Sequence, residues 1–184
     1  MTSNVIIIMT DELRRDTLGC YGNSVAKTPN IDKLARTGYL FNNAYTPSPI
    51  CVPARASIAT GLYVHENRCW TNAMPYSGQS RSWHHELRES GRDIVSIGKL
   101  HFKNMEEANG FSEEIIPVHI KDGKGWIHGL MRERTDLFDA SGFAANIGPG
   151  IDPYTDYDRK VCELAQEWLV EKSKTSPEGG WCLF

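Results

Sequence analysis

At 184 residues the chain is long enough for one domain of ordinary size with a substantial buried core. A hydrophobic content of 40% with 23% charged residues belongs to a soluble globular protein. A net charge of -3, with no run of lysine and arginine, argues against nucleic acid or another polyanion as partner.

The start, Met1-Thr2-Ser3-Asn4, has no basic n-region, and the apolar run after it meets Asp11 too soon for a signal peptide. No stretch is long enough to span a membrane. Five cysteines, Cys20, Cys51, Cys69, Cys162 and Cys182, are odd in number and lack metal-knuckle spacing, which points to reduced thiols. The chain therefore reads as cytoplasmic, without a membrane partner; a homo-oligomer stays open.

Val5-Ile6-Ile7-Ile8-Met9 is a continuous apolar run, the pattern of a central parallel strand covered on both faces. It ends at Thr10-Asp11-Glu12, so two carboxylates stand at the C-terminal end of a strand, where ligands bind in open α/β sheets. The plainer reading is that Asp11 or Glu12 caps the next turn. After a turn-rich stretch over 18–23, residues 28–38 carry a cap residue, a proline at the first position and a glycine stop, which predicts a short helix. Residues 39–45 read as a second strand.

Pro49-Ile50-Cys51-Val52-Pro53-Ala54-Arg55-Ala56-Ser57-Ile58-Ala59-Thr60-Gly61 follows. Pro53 suits the first position of a helix, where its missing N–H would lack a partner anyway. Cys51 is thereby expected at the positive end of a helix dipole beside free backbone donors, a place that stabilises a thiolate or an oxyanion. A lone cysteine there is as readily a buried structural one; Cys-x-Pro-x-Arg followed by Thr-Gly is much more specific. Residues 63–72 are polar and aromatic without a period, with His65 reading as a loop or packing histidine and Asn72 as a solvated loop residue.

Residues 82–91 predict an amphipathic helix with Trp83 and Leu87 on one face, Gly91 as its stop, and His84 and His85 on the surface. Asp93-Ile94-Val95-Ser96-Ile97-Gly98 is a buried strand that ends in Lys99-Leu100-His101-Phe102. In an extended chain Lys99 and His101 face one side, a cation for a charged oxygen beside a proton donor. A solvated lysine and a satisfied histidine are the plainer alternative. Glycine and charge dominate an inserted loop region at about 117–153, with a short helix near 130–137. Trp126, His128, Arg132 and Arg134 are its candidate substrate contacts. Residues 154–174 return to a helix whose stripe Tyr157, Val161, Leu164 and Trp168 faces a core, and 179–184 read as a turn entering a strand.

Two of these stretches carry a family resemblance. Cys51-Val52-Pro53-Ala54-Arg55, closed by Thr60-Gly61, resembles the signature of the type I sulfatases of the alkaline-phosphatase-like superfamily, and Gly98-Lys99-Leu100-His101 resembles their second signature. Thr28-Pro29-Asn30-Ile31-Asp32-Lys33-Leu34-Ala35 is similar to a structural segment of the same family. Ala59 replaces a larger aliphatic residue and Leu62 a frequent arginine; neither touches the chemistry. Asn72 lies about as far beyond the cysteine as an asparagine that contacts ester oxygens in the choline-sulfatase and phosphonate-monoester-hydrolase branch, the nearest one.

The resemblance implies an α/β fold, a mostly parallel central sheet flanked by helices, of which residues 1–184 form the N-terminal part. Further metal ligands and a second lysine are then expected beyond Phe184. It implies a sulfuric ester hydrolase in which a formylglycine-generating maturation enzyme oxidises Cys51, the hydrated aldehyde being the nucleophile. A divalent cation, usually calcium, with magnesium or manganese as alternatives, is held by Asp11, by Glu12 in place of the usual aspartate, and by the modified Cys51. Arg55 steadies the nucleophile, and Lys99 and His101 act on the sulfate and its leaving group. A covalent sulfate ester then collapses back to the aldehyde. The substrate is a small-molecule sulfate ester. A phosphonate monoester or phosphodiester hydrolase, or a catalytically incomplete fragment, are the rival readings.

Overall fold

The computed structural model of the chain describes residues 3–105, 109–123, 147–175 and 180–184. They form two compact units, Met1–Ile7 with Pro47–Phe184, and Ile8–Thr46. Trp126, His128, Arg132, Arg134 and the helix expected near 130–137 lie outside the described residues.

The larger unit is built on a sheet of four parallel strands: β1 (Val5–Ile6), β2 (Asp93–Ile97), β3 (Glu113–Ile115) and β4 (Trp181–Leu183), in the order β1-β4-β2-β3. Successive residues of a strand point to opposite faces, and the core divides accordingly. Ile94 and Cys182 enter one cluster, with Val52, Ala56 and Ala59 of the helix α2 (Cys51–Thr60) and Phe102 and Phe111. Two short helices follow α2 in the chain, α3 (Val64–Asn67) and α4 (Trp83–Glu89), and Trp83 and Leu87 of α4 pack against the same cluster. Val95, Ile97 and Leu183 enter the other, where Val161, Leu164 and Trp168 of the helix α5 (Pro153–Lys174) cover them. Helices thus lie on both faces of a parallel sheet, the arrangement that the resemblance implies. The stripe on α5 is core packing, as its spacing implies. Asp152 starts α5 by accepting the Thr155 N–H at 2.7 Å, with Pro153 directly after it.

The smaller unit holds the helix α1 (Pro29–Thr37), which starts and stops where proline and glycine require. Asp32 accepts from the Thr28 hydroxyl at 2.9 Å and from the Cys20 N–H at 2.8 Å, which fastens the turn before the helix to its first turn.

Three expectations are corrected. Among the described residues the run at 5–9 is not a central covered strand: β1 is two residues long, pairs there only with β4, and leaves Val5 41% and Ile6 50% exposed. A β-branched run records the demand for burial but not the order of strands. Residues 39–45 form no strand, because side chains take up their backbone: Arg15 donates to the Asn42 carbonyl at 2.6 Å and Tyr21 to that of Phe41 at 2.7 Å. His84 and His85 are buried, at 2% and 9% exposure. Neighbouring positions do diverge on a helix, but α4 has only seven residues and segment 109–111 covers it. Asn109 O accepts from the Nδ1–H of His84 at 3.1 Å, and Phe111 stacks on that ring with centroids 4.0 Å apart. Gly110 comes so close that a Cβ there would stand 2.7 Å from the His85 amide nitrogen, and its φ of 93° also favours glycine.

Burial, reinforced by neighbouring His85, pushes the His84 pKa down to about 4. The folded value lies below the ordinary 6.5, so the unfolded chain binds the proton first as pH falls. The contribution of neutral His84 is complete above pH 6.5 and declines toward pH 4, by about 3 kcal/mol in all. In urea unfolding at pH 7 and pH 4.5, wild type is expected to lose more stability than His84→Asn; equal losses would contradict the assignment.

Candidate active site

Cys51 is the first residue of α2, with Ile50 as the extended residue before it. Pro53 stands third rather than first. It still costs no hydrogen bond, because the first amide to reach back into the helix is that of Ala54, donating to Ile50 O at 3.0 Å. The small, fully buried Ala56 and Ala59 join the core cluster that also holds Ile94 and Cys182, and Gly61, at φ 70°, closes the helix.

The free backbone donors expected beside Cys51 are mostly taken. Pro53 has none, and the Val52 N–H donates to Asn72 Oδ1 at 3.0 Å. Asn72 thus caps the helix that carries Cys51 from 20 residues away in sequence. With its oxygen engaged, its NH2 group is left as the donating end.

The second wall of the site is the end of β2. Gly98 turns the chain at φ 111°, and a Cβ there would meet Val161 at 3.2 Å, so a side chain would both strain the backbone and push α5 away. Lys99 follows. Its carbonyl accepts from the guanidinium of Arg55, which is only 7% exposed, and its Nζ stands 3.9 Å from Cys51 Sγ. That separation is a charge contact rather than a tight hydrogen bond. The structure therefore gathers Cys51, Arg55, Lys99 and Asn72 around one helix start.

His101, two residues on, departs from the expectation. Lys99 and His101 do not alternate along an extended chain, since His101 takes φ 54° and its amide donates to Val118 O at 2.8 Å. A non-glycine residue held in the left-handed region is a local strain that surrounding contacts must maintain. Asp11 and Glu12 belong to the smaller unit, where both are exposed and Glu12 also has a left-handed φ of 55°. Among the described residues no three His, Cys, Asp or Glu side chains form a group able to hold a metal ion. The carboxylate chemistry of Asp11 and Glu12 fits a hard cation, but two residues supply fewer than the roughly six to eight oxygens calcium takes.

Two features escape the sequence reading. Tyr63, Val64, His65 and Trp70, with Pro47 and Ser48, line an open groove from residues on either side of Cys51 in sequence, with the Tyr63 and His65 rings stacked at 5.8 Å. An exposed aromatic cluster in a segment without a period is the one signal it leaves. Glu114, His119 and Asn109 join in a network behind the Lys99–His101 loop; scattered polar residues at those spacings carry no signal at all.

Replacing Asn72 by alanine is expected to cost about 1 kcal/mol of stability, the usual loss of a helix cap, while Asn72→Asp keeps the acceptor and most of the stability. Thermal unfolding of the two variants checks this; equal losses would contradict the capping role.

Comparison with known proteins bears on this site. A profile of the Sulfatase family matches residues 3–178. The choline-sulfatase of Rhizobium meliloti (strain 1021) is 30% identical over 188 aligned positions, covering 98% of this chain and 36% of that protein. A solved structure in complex with its substrate D-glucosamine-2-N,6-O-disulfate is 33% identical, with a TM-score of 0.58 over 62% of this chain and 23% of that one. The phosphonate monoester hydrolase of Agrobacterium radiobacter shares the fold, with a TM-score of 0.68 over 98% of this chain and 40% of that one at 22% identity. The chain thus spans about a third of the length of the choline-sulfatase. With its Cys51-x-Pro53-x-Arg55 helix start set against Gly98-Lys99-x-His101, the chain belongs to the sulfatase family.

Proposed function

We propose that the protein hydrolyses small-molecule sulfuric esters, with Cys51, converted to formylglycine by a maturation enzyme, as the nucleophilic residue. The observation that carries this reading is the approach of Lys99 Nζ to 3.9 Å from Cys51 Sγ at the start of α2. Sγ marks where the nucleophilic oxygen would stand, so an ammonium lies within reach of any oxyanion attacked from there. The hydrated aldehyde supplies the nucleophile. A divalent cation, calcium by family likeness with magnesium and manganese as alternatives, would be held by carboxylates such as Asp11 and Glu12 and would polarise sulfate oxygens.

This chain's own groups do the rest. Lys99 offsets charge on the sulfuryl oxygens as the S–O bond to the alcohol breaks. Asn72 presents its NH2 group to the ester oxygens while its carbonyl keeps the helix start in place. Arg55 holds Lys99 through the backbone and adds fixed positive charge next to the nucleophile. His101 is assigned the proton that the departing oxygen needs. The groove of Tyr63, His65 and Trp70 offers flat rings to the organic part of the ester. Five free thiols support a reducing, cytoplasmic setting. No helix among the described residues is long and apolar enough to cross a membrane.

Turnover of an aryl sulfate and an aryl phosphonate ester by the full-length protein tests the reaction class. Faster sulfate hydrolysis is expected, and faster phosphonate hydrolysis would overturn the assignment in favour of a phosphonate monoester hydrolase. Lys99→Ala should lower kcat/KM for the sulfate by about 10²–10³-fold with the fold retained; a smaller effect than tenfold would remove Lys99 from the machinery.

A further inference from the structure

We propose that Glu114, His119 and Asn109 are positioning residues that hold the loop of Lys99 and His101 in its working shape; this rests on the reading of those two side chains as the groups acting on the ester. Beyond β2 the chain runs from 98 to 105 without regular structure, and neighbours on two sides hold it. On one side lies segment 115–120. Gly98 N donates to Ile115 O at 3.1 Å, Leu100 N and His101 N both donate to Val118 O at 3.2 and 2.8 Å, and Ile120 N donates to Phe102 O at 2.9 Å. On the other side Asn109, 2% exposed, donates from its NH2 group to Asn104 O at 2.9 Å.

Glu114 ties the two sides together. One carboxylate oxygen accepts from the same Asn109 NH2 group at 2.8 Å, and the other accepts from His119 Nε2 at 2.9 Å. Its side chain is 10% exposed and that of His119 11%. His119 follows Val118, whose carbonyl holds His101, and Asn104 stands three residues beyond His101. A circuit of short bonds therefore runs from Asn104 through Asn109, Glu114 and His119 to Val118 and back to the loop. A carboxylate so little exposed to water requires its partners, since losing one leaves a costly unmet charge. β3 anchors the circuit, with Glu114 in register with Ser96 of β2.

The left-handed φ of His101 explains what the circuit is for. That backbone state persists only where the surroundings over-determine it, and the paired donation to Val118 O is the contact that does so. Loosening the Glu114–His119 link frees Val118, lets His101 relax toward ordinary φ, and so displaces its imidazole and draws Lys99 away from Cys51. Displacement of about 1 Å at a reacting group is enough to cost roughly a hundredfold in rate.

The test uses Glu114→Gln and His119→Gln in the full-length protein, with Lys172→Met as control. Lys172 pairs with Asp93 at the opposite end of β2, so its variant reports lost stability alone. The first readout is the NMR signal of the His101 imidazole, which does not depend on turnover. The second is the split of kcat and KM for an aryl sulfate. Expected are a displaced His101 signal in both glutamine variants but not in Lys172→Met, and a kcat lowered tenfold or more with KM little changed. A His101 signal that stays in place, or moves equally in Lys172→Met, overturns the proposal whatever the protein hydrolyses. Should Glu114→Gln fail to fold, His119→Gln alone decides. A wild type without sulfatase activity would count against the reaction assigned above, and the His101 signal would still judge the positioning role.

Discussion

The bond from the buried guanidinium of Arg55 to the carbonyl of Lys99 is the constraint on which the site depends. A cation taken out of water must be met by hydrogen bonds or the fold loses several kcal/mol. A carbonyl at the end of a strand has the converse need, having run out of ladder partners. Each meets the other's requirement, and in doing so they lock α2 to β2 one helical turn beyond Cys51. The distance between Cys51 and Lys99 is a consequence of that lock, and so is the value of Gly98. Only a residue without a Cβ turns the chain at that point while α5 stays packed against the strand end.

The helix start around Cys51 is electrostatically distinct from a phosphate-binding loop. There, successive backbone amides point at the anion. Here proline removes one amide and Asn72 takes another, and the positive charge beside Cys51 is the ammonium of a side chain, Lys99. An ammonium on a flexible stem is a weaker fixture than a ring of amides unless its backbone is anchored, which Arg55 and the Val118 contacts accomplish. Within the smaller unit Asp11 and Glu12 are exposed carboxylates of the kind a hard cation selects, and Glu12 has a left-handed backbone, a local strain.

Much of this arrangement is legible in the residues themselves. β2, α2 and α5 announce themselves by burial patterns and stop signals, because local propensity and tertiary demand agree there. The meeting of Cys51, Arg55 and Lys99 is legible because unusual residue types stand at strand and helix ends. What is not legible depends on long-range partners. The strand order that leaves β1 at an edge is set by crossover connections rather than by Val5 or Ile6. The burial of His84 and His85 comes from Asn109 and Phe111, about 25 residues on, which no helical period records. The turn at His101 arises from a carbonyl at Val118, and the Glu114–His119 pair has no pattern until the chain is folded. Residues 39–45 have strand-like composition, yet side chains from Arg15 and Tyr21 hold their carbonyls.

Every assignment of function returns to the chemical state of one side chain. Peptide mass spectrometry across Cys51, on protein made in its native host, measures that state directly. A peptide bearing the aldehyde in place of the thiol is expected; an intact cysteine in that protein would contradict the role given to Cys51 and with it the hydrolytic mechanism.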